Sequence, residues 1–179
     1  MEQEICLGLG SNQGDRLAYL NRAVNFVVEH PDLQLIACSS VYETDYVGPG
    51  QQDKFLNGCL ALRSNMALLP LLDLFQALER DLGRGPDGHM KPRPLDVDIL
   101  LVDDLVMTES RLTVPHPRLA ERLFVLEPLC EIAPGKIIPK LGETVANLCA
   151  KIKRKDSPAV TLRLDLVLES GLNGRFMED

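Results

Sequence analysis

Asp96 and Asp98 stand two residues apart in the run Leu95-Asp96-Val97-Asp98-Ile99-Leu100-Leu101. A strand carries residues i and i+2 on one face, with Cα atoms roughly 6 to 7 Å apart. Two carboxylates held that close repel each other, and burying them unpartnered is costly, so solvent, arginine or metal must meet them. Leu95, Val97, Ile99 and Leu101 take the opposite face, and Leu100 carries the acidic face into apolar surroundings, as in a strand covered on both sides. Oxygen ligands at this spacing suit Mg2+, which takes one or two carboxylates and completes its octahedron with water and phosphate oxygens. Arg84, Lys91, Arg93, Arg111 and Arg122 flank the pair in sequence, and guanidinium forks grip phosphate bidentately. This combination points to polyphosphate chemistry. The residue types alone also fit a solvated strand end with ordinary surface ion pairs. His116, between Pro115 and Pro117, is either a phosphate donor or a structural histidine.

The elements around the pair follow from periodicity. Ile5 to Leu9 reads as a buried strand, and Gly10 to Asp15 as turn residues ending in a helix cap. Gly8 and Gly10 fit no phosphate-loop motif and read as turn chemistry. Leu17, Leu20, Val24, Val27 and Val28 predict a helix that stops at His30-Pro31-Asp32. Leu33 to Thr44 predicts one long strand, and Phe55 to Leu62 an antiparallel neighbour beyond the Val47-Gly48-Pro49-Gly50 loop. Leu71, Leu74, Phe75, Leu78 and Leu82 predict one helix face, with Gln76 and Glu79 off it. Gly83 to Pro92 is loop. After the acidic strand, Leu105 to Met107 is expected to pair back as a hairpin, Thr113 to Pro117 to be a rigid connection, and Leu119 to Glu131 and Thr144 to Ile152 to be helices. Together these predict an α+β fold, a ferredoxin-like βαββαβ core with a mainly antiparallel sheet and helices on both faces, an α/β/α sandwich.

At 179 residues, 45% apolar, the chain supports one catalytic domain, residues 1–158. Residues 159–179 form an extension, in which Val160, Leu162, Leu164, Leu166 and Leu168 alternate as an edge strand ahead of a polar tail. That strand needs a sheet edge, in its own chain or across a dimer. A net charge of −7 argues against nucleic acid and membrane surfaces as partners. Five scattered cysteines without a C-x-x-C pair fit reduced thiols in the cytoplasm, and their spacing with three histidines matches no zinc site.

Four islands in order carry a resemblance: Leu9-Gly10-Ser11-Asn12; Ser40 to Thr44 through Gly48-Pro49 to Phe55-Leu56-Asn57; Pro92-Arg93-Pro94-Leu95-Asp96-Val97-Asp98-Ile99; and Arg111-Leu112-Thr113-Val114-Pro115-His116. On these, residues 4 to 140 resemble the 6-hydroxymethyl-7,8-dihydropterin pyrophosphokinases of folate biosynthesis. The resemblance implies transfer of pyrophosphate from ATP to the pterin hydroxymethyl group with release of AMP. It implies two Mg2+ ions on Asp96 and Asp98, with Arg84 and Arg93 completing the catalytic set. Gln76, Glu79, Ile99, Arg111, Leu112, Thr113, His116 and Arg122 would contact ATP. Thr44, Val47, Phe55, Asn57 and Phe124 would hold the pterin, although without the resemblance Phe55 and Phe124 read as core packing. The chain would act as a monomer, or as a homodimer through its C-terminal strand. It departs from many relatives at Pro86, where they carry a second arginine, and at Met90, where they carry tryptophan; a looser lid over the substrates follows. The residue types leave two competitors: another Mg2+-dependent phosphoryl transferase, and a catalytically silent binding module on the same fold.

Overall fold

The computed structural model describes residues 2–85, 91–153 and 159–169. One antiparallel sheet forms its middle layer. Its central strands are β1 (Gln3–Ser11) and β4 (Phe55–Ser64), which pair along their whole length, with β5 (Asp96–Val102) on the other side of β1. The outer edge of β4 takes two strands end to end, β2 (Leu33–Cys38) and β3 (Tyr42–Thr44). The predicted single strand from Leu33 to Thr44 is therefore interrupted. Ser39 bridges the gap: its amide donates to the Cys59 carbonyl at 2.9 Å, and its hydroxyl accepts from the Cys59 amide at 2.8 Å. Counting β2 and β3 as one interrupted strand, the order is that of the expected ferredoxin-like βαββαβ core.

Helices cover both faces. On one, α1 (Arg16–Glu29) and α2 (Leu68–Asp81) bury Leu20, Val24, Leu71 and Phe75 against Leu7, Leu60, Val97 and Ile99. Asp15 caps α1 by accepting from the Ala18 amide at 3.1 Å. On the other, α3 (Leu123–Ile132) and α4 (Val145–Lys153) bury Leu126, Leu129 and Leu148 against Cys6, Cys59, Leu100 and Leu101. Leu101 belongs to this second cluster, not to the Val97 side as alternation predicts. The β1–β5 register slips between Cys6 and Leu7, so Leu100 is the extra residue of a bulge and the faces exchange beyond it.

Three further expectations change. Leu105 does not pair back on the acidic strand; a separate two-residue hairpin joins β6 (Met107–Thr108) to β7 (Thr113–Val114), which makes part of the expected rigid connection a strand, and a second short pair, β8 (Ile137–Ile138) and β9 (Glu143–Thr144), precedes α4. The helix predicted from Leu119 divides into a 3-10 turn, Leu119–Glu121, and α3, with Arg122 extended between them. The C-terminal strand β10 spans only Val160–Leu162, because a turn at Leu164-Asp165 ends it, with the Leu166 amide donating to the Arg163 carbonyl at 3.1 Å. β10 pairs with β3 of its own chain. Pro86, Met90 and the polar tail from residue 170 lie outside the described residues. No helix among the described residues is long and apolar enough to cross a membrane.

Candidate active site

The site grows from the face of the sheet that looks toward α3. Cross-strand neighbours share a face, so the register aligns Tyr42, Asn57, Gly10 and Asp96 in one row, and Cys59, Gly8 and Asp98 in the next. Gly8 and Gly10 are thus strand residues, not turn residues. They leave β1 without side chains between Asn57 and the two aspartates. A Cβ on Gly10 would stand 3.6 Å from Asn57 Oδ1 and from the Phe55 ring, and one on Gly8 would press on Leu100 at 3.3 Å. The alternation Gly-x-Gly opposite Asp-x-Asp was the available signal for an open floor.

Asp96 is held by arginines. Arg84 Nη1 reaches its Oδ1 at 2.5 Å, and Arg93 Nε its Oδ2 at 3.3 Å. Arg84 arrives there through the end of α2. Gly83 takes φ +98°, its amide donates to the Arg80 carbonyl at 2.9 Å, and the Arg84 amide returns to the Glu79 carbonyl at 2.9 Å. That is a Schellman stop, which needs a left-handed residue and so glycine. It also brings Arg84 Nη1 within 2.6 Å of Glu79 Oε1. Glu79, which the helical pattern puts off the buried face, is only 4% exposed. It accepts from the Val97 amide at 2.7 Å, which ties α2 to the acidic strand. Burial pushes its pKa up to about 7, against the pull of the Val97 amide and Arg84.

Arg93 is fixed by its backbone. Its amide donates to Asn12 Oδ1 at 2.9 Å, and the Asn12 amide donates to the Arg93 carbonyl at 3.2 Å. Asn12 is 1% exposed and belongs to a motif quoted above, yet its positioning role was not read from the sequence. Asp98 has looser company, His116 Nε2 at 4.0 Å and Arg122 Nη1 at 3.7 Å. At the floor of the crevice, burial and the neighbouring Asp96 push its pKa up to about 6, against Arg122, Arg93 and Arg84. His116 goes the other way, down to about 4, through burial and the charges of Arg122 and Arg118. It is therefore neutral near pH 7. Its Nδ1 accepts from the Arg118 amide at 3.2 Å, which leaves the proton on Nε2, facing Asp98.

Two cavities meet at the aspartates. The first is a groove beside α2, lined by Gln76, Glu79, Arg84, Ile99, Arg111, Leu112, Thr113 and His116, together with Asp96 and Asp98. Arg111, half exposed there, pairs with Asp73. The second is walled by Thr44, Val47, Phe55, Asn57 and Phe124 and again reaches Asp96 and Asp98. Asn57 Nδ2 donates to Thr44 Oγ1 at 2.9 Å. The Arg93 guanidinium lies 5.6 Å from the Phe55 ring centre, and the Arg122 guanidinium 5.6 Å from that of Phe124. Every residue assigned above to the two substrates lines one of these cavities, but Arg122 stands in the wall of the aromatic one, not in the groove. Unanticipated in that wall are Asp45, Tyr46, Arg118 and Val160; the Tyr46 ring stacks near Phe55 with centres 6.3 Å apart.

An arginine-lined groove and an aromatic-walled cavity joined by a shared acidic pair make the layout of a group transferase. The comparisons with known proteins give the particular family. The profile of 7,8-dihydro-6-hydroxymethylpterin-pyrophosphokinase (HPPK) matches residues 6–134. A 2-amino-4-hydroxy-6-hydroxymethyldihydropteridine pyrophosphokinase of Bacillus subtilis is 44% identical over 126 residues, 70% of this chain and 75% of that one. The enzyme of the same name from Pseudomonas aeruginosa is 40% identical over 139 residues, 78% of this chain and 86% of that one. The Plasmodium falciparum HPPK-DHPS crystal structure superposes with a TM-score of 0.67 at 14% identity, covering 84% of this chain but only 45% of that longer one, a likeness of fold alone. The chain belongs to the 6-hydroxymethyl-7,8-dihydropterin pyrophosphokinase family.

Proposed function

We propose that the two cavities and the acidic pair between them serve one reaction. The chain transfers pyrophosphate from ATP to 6-hydroxymethyl-7,8-dihydropterin, giving the pterin diphosphate and AMP, in folate biosynthesis. The observation that carries the assignment of sites is the sharing of Asp96 and Asp98 by both cavities. ATP lies in the groove, among Gln76, Arg111 and Thr113, and the pterin ring lies between Phe55 and Phe124, where Asn57 reads its edge. Thr44 and Val47 present backbone groups to the ring.

The donor set fits magnesium: two carboxylates on one strand face, partly open to solvent, with only long contacts to Asp98 among the described residues. Asp96 and Asp98 would hold two Mg2+ ions, which would supply positive charge to neutralise the polyphosphate. Arg84 and Arg93, which contact Asp96, would turn their guanidinium forks to phosphate oxygens when the metal is held there. His116 donates its Nε2–H to the polyphosphate while remaining uncharged. Arg122, beside Asp98, steadies the charge at the junction where the pterin hydroxyl attacks. Rate then comes from orientation of the two substrates and from fixed charge.

One chain supplies both cavities, and the C-terminal strand pairs within its own chain, which supports an enzyme able to work as a monomer, while the five free cysteines fit the cytoplasm. Residues 1–158 make up the body of the catalytic domain, and the extension that follows adds β10 to its sheet. Titrating Mg2+ into the protein saturated with a non-hydrolysable ATP analogue tests the metal assignment. Two ions per chain are expected, and one or none contradicts it. Phe124→Ala should raise the pterin KM at least about tenfold through loss of a stacking face, with the ATP KM little changed. Steady-state kinetics varying each substrate in turn checks this.

A further inference from the structure

The family match ends at residue 134, yet a residue far beyond it, Val160, stands in the wall of the aromatic cavity. We propose that Val160 is a specificity-determining residue for the acceptor, and that β10 positions the acceptor edge of the cavity. The inference rests on the reading of that cavity as the pterin site.

Val160 pairs with Thr44 across β10 and β3, and Thr44 pairs with Phe55 across β3 and β4. These three side chains therefore form one row on the face of the sheet that carries Asp96 and Asp98. Val160 is half-buried, and its branched side chain sets the breadth of the cavity beside Thr44. Its rotamer is restricted on a strand, so the wall it makes is stiff. The strand itself is pinned from the opposite face. Arg163 Nη1 meets Glu43 Oε1 at 3.2 Å, and Arg16 Nη2, at the start of α1, meets the same oxygen at 3.0 Å. The Arg163 amide donates to the Val41 carbonyl at 2.9 Å and continues the ladder past Leu162.

Further along, Leu168 is 7% exposed and packs so closely over Gly58 that a Cβ there would lie 2.9 Å from Leu168 Cδ1. The Glu169 amide donates to Asn21 Oδ1 at 3.0 Å. An added strand held by an ion pair and a buried leucine is a fixed part of the cavity wall. A rigid apolar wall beside a flat ligand discriminates by shape, and a missing or added methylene in such a place is worth about tenfold or more in affinity.

The test compares full-length Val160→Ala and Val160→Phe with Thr161→Ala, whose side chain is exposed on the other face of β10. Pterin KM, ATP KM, kcat and thermal unfolding are measured for each. Val160→Phe is expected to raise the pterin KM by about tenfold or more, and Val160→Ala by about three- to tenfold. In both, ATP KM and unfolding temperature stay near those of the wild type and of Thr161→Ala. A pterin KM unmoved by both substitutions overturns the proposal, as does an equal change in both KM values with lowered unfolding temperature, which marks Val160 as structural only. Should Phe124→Ala raise the pterin KM while neither Val160 variant does, the cavity assignment stands and the Val160 role falls. Wild type without pterin affinity overturns the assignment itself.

Discussion

Asp98→Ala loses at least about 100-fold in turnover, the scale of removing a key charge stabiliser from a preorganised site. Among the described residues, Asp98 is the shared carboxylate without a close arginine, so it is the one more open to a cation. Its loss would leave Asp96 alone to hold the metal proposed there, and Asp96 is already engaged by Arg84 and Arg93. Asp98→Asn should be nearly as poor a catalyst, because an amide supplies oxygen but no charge. Neither variant should lose stability. The folded state raises the Asp98 pKa from 3.8 to about 6, so the ionised form is the less favoured one in the fold. Wild-type stability contributed by this group is therefore present at low pH and declines as pH rises between those values. A side chain that never ionises escapes the decline, and unfolding temperatures at pH 7 should be equal or higher. Steady-state turnover and thermal unfolding, measured together, check both halves. An inactive variant that is also unfolded would not support the catalytic role.

Arg84→Ala should reduce kcat/KM for ATP by about 100- to 1,000-fold, within the range for removing a charge that stabilises a transferring phosphoryl group. The Schellman stop at Gly83 delivers this guanidinium between Glu79 and Asp96, which it touches at 2.6 and 2.5 Å. A fork can remain on Glu79 while it turns to phosphate. Arg84→Lys keeps the charge but has a single rotating ammonium, so it should recover only a small part of the loss. Full activity in Arg84→Lys would reduce the role to bulk charge, and unchanged activity in Arg84→Ala would remove it from the site. kcat/KM at varied ATP, with saturating pterin, is the measurement.

The acidic strand was legible because period-two alternation is local and unambiguous at Leu95 to Ile99. The same rule failed at Leu101, since a bulge depends on the register with Cys6 and Leu7, far away in sequence. Gly8 and Gly10 were misread because glycine pairs usually punctuate chains, and only the neighbouring strands show that these two clear a floor. Glu79 eluded the helical pattern for a related reason. A carboxylate reads as exposed until the Val97 amide and Arg84 that satisfy it come into view. Phe55 and Phe124 look like core residues in sequence, and only the family resemblance made them cavity walls. Val160 had no local signal at all, for its place follows from pairing with Thr44.

The central claim is that the shared aspartates join an ATP groove to a pterin cavity for pyrophosphoryl transfer. Incubating the full-length protein with Mg2+, ATP and 6-hydroxymethyl-7,8-dihydropterin, and resolving the products, tests it most directly. The account predicts AMP and pterin diphosphate in equal amounts, with none formed when magnesium is chelated. ADP with a pterin monophosphate, or no pterin product under conditions where the protein is folded and binds ATP, would contradict it.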